Sequence, residues 1–264
     1  CSMCTLTVLP SRTPTGGLRI VFNRDELRSR PQALPPIERS YGHLRAVHPV
    51  DLPSQGTWLA VNTAGICLAL LNVNPRVRLG WDTGQHSSSP HTHPTASTPR
   101  PSRGSLIPRL LDAANLATIA QRMDATPVAD YPPFRLVAIT RQGAQEWRSD
   151  GQTLRAQAYP VEQPLLLTSS GLGDALVEGP RRALFEATLG ACFAAGGTDA
   201  QCRAAQDVLH AHIWPGREHL SICMSRADAR TVSQTQVELG DRQATLAYQV
   251  LPPVTPAVRL ALAW

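Results

Sequence analysis

The sequence contains no lysine: all 25 of its Lys and Arg positions are arginine. That absence removes Schiff-base chemistry of the pyridoxal type, which needs a lysine amine. It also removes the phosphate-cradling P-loop, whose lysine is part of the motif. Aromatic residues make up only 5%, too few for the stacking platforms that hold single-stranded nucleic acid. The net charge of +5 comes from arginines scattered along the chain rather than grouped in a block, so no nucleic-acid partner is expected. No run approaches the ~20 apolar residues of a membrane-spanning helix, and no transmembrane segment is expected. Nor is there an opening basic stretch followed by an apolar one, which makes the cytoplasm the expected compartment. Only Cys1-Ser2-Met3-Cys4 has CxxC spacing, and with no second CxxC to complete a zinc site, neither a metal nor a resident cofactor is expected.

What is present suits a large buried core, with 42% hydrophobic and 17% charged residues placing the chain outside the disordered class. Cys67, Cys192, Cys202 and Cys223 read as reduced, mostly buried thiols, with Cys223 in strand core. Apolar runs at 4–9 and 18–23, joined by a turn-rich link, predict a hairpin. It returns Phe22-Asn23-Arg24-Asp25-Glu26 to the neighbourhood of Cys1 and Cys4. Residues 27–56 carry five prolines and predict an irregular surface excursion. Strands are predicted at 57–62 and 66–74, then a mobile loop at 80–104 rich in Ser, Thr, Pro and His. His86, His91 and His93 in that loop read as solvated rather than metal-binding.

Periodicity predicts a helix over 105–124 with a break near Ala114, strands at 134–140, 145–148, 153–158 and 165–168, and helices at 177–195 and 199–212. Strands close the chain at 220–225, 231–239, 244–251 and 258–263. His210, His212 and His219 flank the last helix and read as structural, and Trp58 reads as core. Blocks of antiparallel strands divided by helices imply an α+β fold, two mainly antiparallel sheets stacked between helices in a single domain, 1–264.

An amino-terminal cysteine is chemically unusual because its own α-amine, with a pKa near 8, can serve as the base for its thiol. Attack on an amide carbonyl then needs an oxyanion donor and groups that orient the amine. The residues that could supply them resemble a known family. Met3-Cys4-Thr5-Leu6, Phe22-Asn23-Arg24-Asp25-Glu26 with Ser29-Arg30-Pro31, Gly56-Thr57-Trp58-Leu59-Ala60-Val61-Asn62 and Leu71-Asn72 resemble the NRDE family, also called the transport and Golgi organisation 2 family. Ser102-Arg103-Gly104 and Thr168-Ser169-Ser170 are similar to it too.

The family is similar to amino-terminal-nucleophile (Ntn) hydrolases of the choloylglycine and penicillin V acylase type. The resemblance implies a four-layer αββα sandwich in which Cys4 is the nucleophile, with Cys1 as the alternative. It also implies that Asn23, Arg24 and Asp25 flank the nucleophile, that Asn72 donates to the oxyanion, and that a late arginine, Arg230 or Arg226, lines the site. Ser170 stands where such acylases place a second asparagine. The implied activity is hydrolysis of a non-peptide carbon–nitrogen bond in a small-molecule amide. The alternative is a non-catalytic haem- or lipid-binding trafficking protein on the same fold, with a hydrophobic ligand and haem in place of a substrate. Asn72, which precedes Asn74-Pro75, could also be a turn residue.

Overall fold

The computed structural model describes residues 3–13, 16–74, 100–253 and 255–264. Cys1 and the three loop histidines lie outside these residues. Two antiparallel sheets face each other. The six-stranded sheet runs β10-β1-β2-β11-β12-β13, built from β1 (Met3–Pro10), β2 (Leu18–Leu27), β10 (Leu165–Ser169), β11 (Ala229–Leu239), β12 (Gln243–Val250) and β13 (Val258–Ala263). The seven-stranded sheet is a meander in chain order: β3 (Leu34–Tyr41), β4 (Leu44–Val50), β5 (Leu59–Asn62), β6 (Cys67–Asn72), β7 (Phe134–Thr140), β8 (Gly143–Ser149) and β9 (Leu154–Tyr159).

Strand alternation decides which side chains fill each layer. Cys4, Leu6 and Val8 of β1 and Ile20 and Phe22 of β2 meet Leu59, Val61, Leu71 and Val137 of the other sheet in the central core. On the outer face of the seven-stranded sheet, Leu68, Leu70 and Leu136 pack beneath Ile107, Leu111 and Ile119, the last on helix α1 (Leu116–Asp124). The outer face of the six-stranded sheet is covered by α2 (Asp174–Phe185), a π-helical turn (Glu186–Gly190), α3 (Ala191–Ala194) and α4 (Asp199–Ala211), through Phe185, Leu189 and Leu209. The layers are helix, sheet, sheet, helix, as the family resemblance implied.

Three expectations are corrected. Residues 27–56 hold two strands, β3 and β4. Their prolines do not exclude them, because β3 is an edge strand and Pro35-Pro36 falls at a register shift between Leu34 and Ile37, where no ladder N–H is needed. The stretch 105–124 breaks where expected, near Ala114, the Asn115 side chain accepting from Thr118 N at 2.9 Å and starting α1 afresh, but its first half is not α-helical: Pro108 opens a short 3-10 turn. Residues 220–225 form no strand. Their backbone bends around a buried guanidinium instead, with Arg181 donating to the carbonyls of Leu220 (3.0 Å) and Ser221 (2.6 Å), and Cys223 is half-buried in this bend. The helix expected to stop at Gly196 does so, Gly196 taking φ +80°, a left-handed conformation natural to glycine.

Candidate active site

The β1–β2 register places Cys4 opposite Arg24 and Met3 opposite Asp25. Cys4 and Arg24 point into the space between the sheets; Asn23 and Asp25, one residue to either side, point to the helical face. Cys4 is 3% exposed and lines a cavity of about 250 Å³ together with Arg24, Trp58, Asn72 and Arg103. Its backbone N–H, an amide because Met3 precedes it, donates to Ser169 Oγ at 3.1 Å. Burial pushes the thiol well above its ordinary pKa, and the Asp25 carboxylate adds to this. With Met3 in place the sulfur is a protonated thiol.

Arg24 is held from three sides. Its guanidinium donates to Asp51 Oδ1 (2.8 Å) and Glu26 Oε2 (3.3 Å) and lies 4.1 Å from the centre of the Trp58 ring. Arg30 grips the same Asp51 at 2.6 and 2.8 Å. Burial works against the Asp51 carboxylate, but hydrogen bonds from Arg30 and Ser54 and the charge on Arg24 hold it down at about 2. Two separate motifs meet at the other wall. A Cβ on Gly56 would lie 2.4 Å from the Gly104 carbonyl carbon, and Thr57 N donates to Gly104 O at 3.1 Å. The two backbones therefore touch only because residue 56 is glycine. That contact seats Arg103, which also donates to Pro133 O (2.9 Å), at the rim of the cavity.

On the helical face the Thr231 hydroxyl donates to Asp25 Oδ1 at 2.6 Å, while Asp25 Oδ2 is buried without a hydrogen-bond partner among the described residues. Burial lifts the Asp25 carboxyl to about 7; the charge of Arg181 and the Thr231 bond oppose the shift. Arg181 is fully buried and donates to Thr5 Oγ1 (2.9 Å) and Thr168 Oγ1 (2.7 Å).

The structure therefore brings Cys4, Arg24 and Asn72 into one cavity and sets Asp25 beside the Met3–Cys4 bond. Asn23 is placed elsewhere. Its amide donates to His210 O (2.8 Å) and Ile222 O (3.2 Å) and accepts from Gln234 Nε2 (3.1 Å), a bridge between β2, β11 and α4. The His210 ring lies against it and is held neutral: burial, with Arg19 and Arg181 adding, depresses its pKa to about 3. Ser170 is engaged at the start of α2, its N–H on Asp174 Oδ1 (2.8 Å) and its hydroxyl accepting from Leu172 N (3.1 Å). Arg230 stands opposite Glu26 in the β2–β11 ladder and lines an adjoining cavity of about 320 Å³ that shares Arg24 and Arg30. Arg226 sits on the other side, paired to Asp228 (2.6 Å), its charge reaching Asp25.

Sequence reasoning passed over Asp51, Ser169 and Arg181 as site residues. Ser169 was within a motif; Asp51 lay in a proline-rich stretch, and Arg181 in an Arg-Arg pair that reads as a solvated helix face.

Solved structures share this arrangement. A Caenorhabditis elegans N-acylethanolamine-hydrolyzing acid amidase ortholog superposes with a TM-score of 0.56 at 13% identity, covering 90% of this chain and 94% of its own. Two forms of the conjugated bile acid hydrolase of Clostridium perfringens, a cysteine-to-alanine mutant and an arginine-to-leucine variant, superpose with TM-scores of 0.53 and 0.54. Each is 9% identical and covers 98% of this chain and 92% of its own. Both enzymes have the Ntn-hydrolase fold, and at these identities the likeness is one of fold. No curated protein matches the sequence. The sequence model of one family does, over residues 3–180, a span that holds Cys4, Arg24, Asp25, Trp58, Asn72 and Arg103, and the chain belongs to that family, Transport and Golgi organisation 2.

Proposed function

We propose that this chain is a cysteine amino-terminal-nucleophile hydrolase of a non-peptide amide, active when Cys4 is the first residue. The observation that carries the reading is Asp25 Oδ2, buried across the ladder from Met3 with no hydrogen-bond partner among the described residues. A carboxylate oxygen without a donor in the interior is costly. A strand nitrogen lies in the plane of the sheet, so a side chain on the helical face can still reach it. Removing Met3 turns that nitrogen from an amide into an α-amine, and the amine gains the donors that Asp25 lacks. Ser169, already its acceptor, holds it from the other strand.

The chemistry then proceeds in two halves. The α-amine takes the Cys4 thiol proton as sulfur bonds to the substrate carbonyl carbon, and the carbonyl oxygen becomes an oxyanion. Asn72, in the same cavity, is the proposed donor to that oxyanion. Trp58 Nε1, buried without an acceptor among the described residues, is a second N–H that a bound carbonyl can use. Collapse breaks the C–N bond, and the ammonium of Cys4 returns its proton to the departing amine. Water, deprotonated by the same amine, cleaves the thioester and restores the thiol. Arg24, fixed by Asp51, Glu26 and Trp58, holds positive charge beside the developing anion. The hydrolases that share the fold are named for an N-acylethanolamine and for a conjugated bile acid, which makes these two compounds the first probes.

Cys4→Ser is expected to lower turnover of a responsive amide by about 10³-fold or more while leaving the melting temperature in place. Denatured wild-type protein quenched during turnover should carry the acyl mass on the peptide containing Cys4. Unchanged turnover in Cys4→Ser would overturn the reading. Saturable binding of haem or a lipid with no turnover of any amide, by protein beginning at Cys4, would replace it with the non-catalytic alternative.

A further inference from the structure

A second, larger opening lies at the far edge of the sandwich and shares no lining residue with the Cys4 cavity. The seven-stranded sheet extends past β10, the edge of the six-stranded sheet, and the overhang of β8 and β9 forms the floor of a groove of about 830 Å³. The walls are β10 and the side of α2. This volume is within the usual range of small-molecule sites, about 300–1,000 Å³.

The floor has an unusual charge pattern. The register pairs Arg135 with Arg148 and Arg148 with Arg155, so three guanidinium side chains stand in one row, on one face, on three adjacent strands. Directly opposed residues have Cβ atoms only about 5 Å apart, and like charges so placed repel. Arg135 is neutralised by Glu146, whose carboxylate it meets at 3.0 Å, and Glu146 also accepts from Tyr159 OH at 2.8 Å. Asp150 is turned away, its oxygens taking up Gln152 N, Thr153 N and Thr153 Oγ1 at 2.8, 2.7 and 3.0 Å. Glu178 faces Arg182 of its own helix at 3.8 Å. Arg148 and Arg155 therefore face the groove with no ion pair among the described residues.

We infer that this groove is a binding site for a phosphate-bearing ligand gripped by Arg148 and Arg155. Two guanidinium forks converging on one group call for more than the two oxygens of a carboxylate, and a phosphate supplies three or four. Bound between them, the anion converts the cross-strand repulsion into attraction, and Arg182 on the α2 wall adds a third cation. The remaining groove takes the rest of the ligand, against Leu165 and Leu167. The site stands whether or not Cys4 is catalytic.

Calorimetric titration of the full chain with sodium pyrophosphate tests this. Saturable binding at one site is expected, weakening as salt is raised. It should be at least about tenfold weaker in the double variant Arg148→Gln/Arg155→Gln and unchanged in Arg39→Gln, an exposed arginine on β3. Glutarate should bind about tenfold more weakly than pyrophosphate. Sedimentation with phosphatidylcholine vesicles containing phosphatidic acid, lost in the double variant, would support the site and identify a lipid headgroup as its source of phosphate. Binding of pyrophosphate without sedimentation would support it and identify a free phosphate ester. Binding of neither probe, equal binding by the double variant, or equal affinity for glutarate would overturn the inference. Both positions are solvent-exposed; should the double variant fail to fold, Arg155→Gln alone, on the edge strand, serves in its place.

Discussion

The guanidinium of Arg24 sits 4.1 Å from the centre of the Trp58 ring, joining β2 of one sheet to the segment that enters β5 of the other. The same guanidinium is bound to Asp51 and Glu26, both nearly buried. A lysine cannot reproduce this, being a point charge without the planar fork. Arg24→Lys is expected to cost about 2–4 kcal/mol, since it leaves buried carboxylates short of donors. Urea denaturation of Arg24→Lys, Trp58→Leu and the double variant should give a coupling of about 0.5–2 kcal/mol between the two. Strict additivity would show that the stacking is incidental.

Asp25 sets a pH dependence. In the chain retaining Met3 its folded pKa, raised by burial to about 7, exceeds the ordinary carboxylate value. The folded protein thus holds a proton that the unfolded chain has released, and stability falls as pH rises from about 4 to 7. Asp25→Asn removes this penalty. Its stability relative to wild type should climb through that window, by on the order of a few kcal/mol, and be flat outside it. Denaturant melts at pH 4 and pH 8 measure the difference. A gain of equal size at both would show that Asp25 is ionised throughout.

The contact between Gly56 and Gly104 predicts a sharp contrast between glycines. Gly56→Ala drives a methyl into the Gly104 backbone, with contacts of 2.4 and 2.5 Å, and should displace Arg103 from the cavity rim. A loss of about 2 kcal/mol or more is expected, with reduced turnover or ligand binding. Gly179→Ala, with nothing within 4 Å of the added carbon, should leave the melting temperature unchanged or raised. Equal tolerance at both positions would contradict the packing described.

Asn23 belongs to the family motif but not to the cavity. Asn23→Ala leaves two buried carbonyls, the His210 ring and Gln234 short of a partner, and about 2–4 kcal/mol of stability should be lost. Turnover per folded molecule, and alkylation of Cys4 by iodoacetamide, should stay within about twofold of wild type. A specific loss of activity in a variant as stable as wild type would return Asn23 to the site.

How much of this the sequence disclosed follows from the range of each interaction. The β1–β2 hairpin was legible because its apolar runs and turn are local. Strand alternation alone also sets Arg24 on one face and Asn23 and Asp25 on the other. The αββα layering and the place of Asn72 came with the family resemblance. The strands at 34–41 and 44–50 were hidden by Pro35, Pro36 and Pro49, which weaken a propensity reading although a register shift accommodates them. The partners of Arg24 were not legible. Asp51 lies 27 residues further on, and only the fold reveals that the Arg181 side chain is buried while its neighbour Arg182 is exposed.

The central claim is that the nitrogen of Cys4 is the base, and its most direct test compares a form that begins at Cys4 with one in which Met3 still precedes it. Protein released from a cleavable fusion so that Cys4 comes first, verified by intact mass, is assayed on the same amide beside protein that retains Met3. The account predicts turnover for the first form and a loss of about 10³-fold or more for the second, and a higher melting temperature at pH 8 for the first form, whose amine supplies the donor that Asp25 Oδ2 lacks. Equal turnover by the two forms would contradict it.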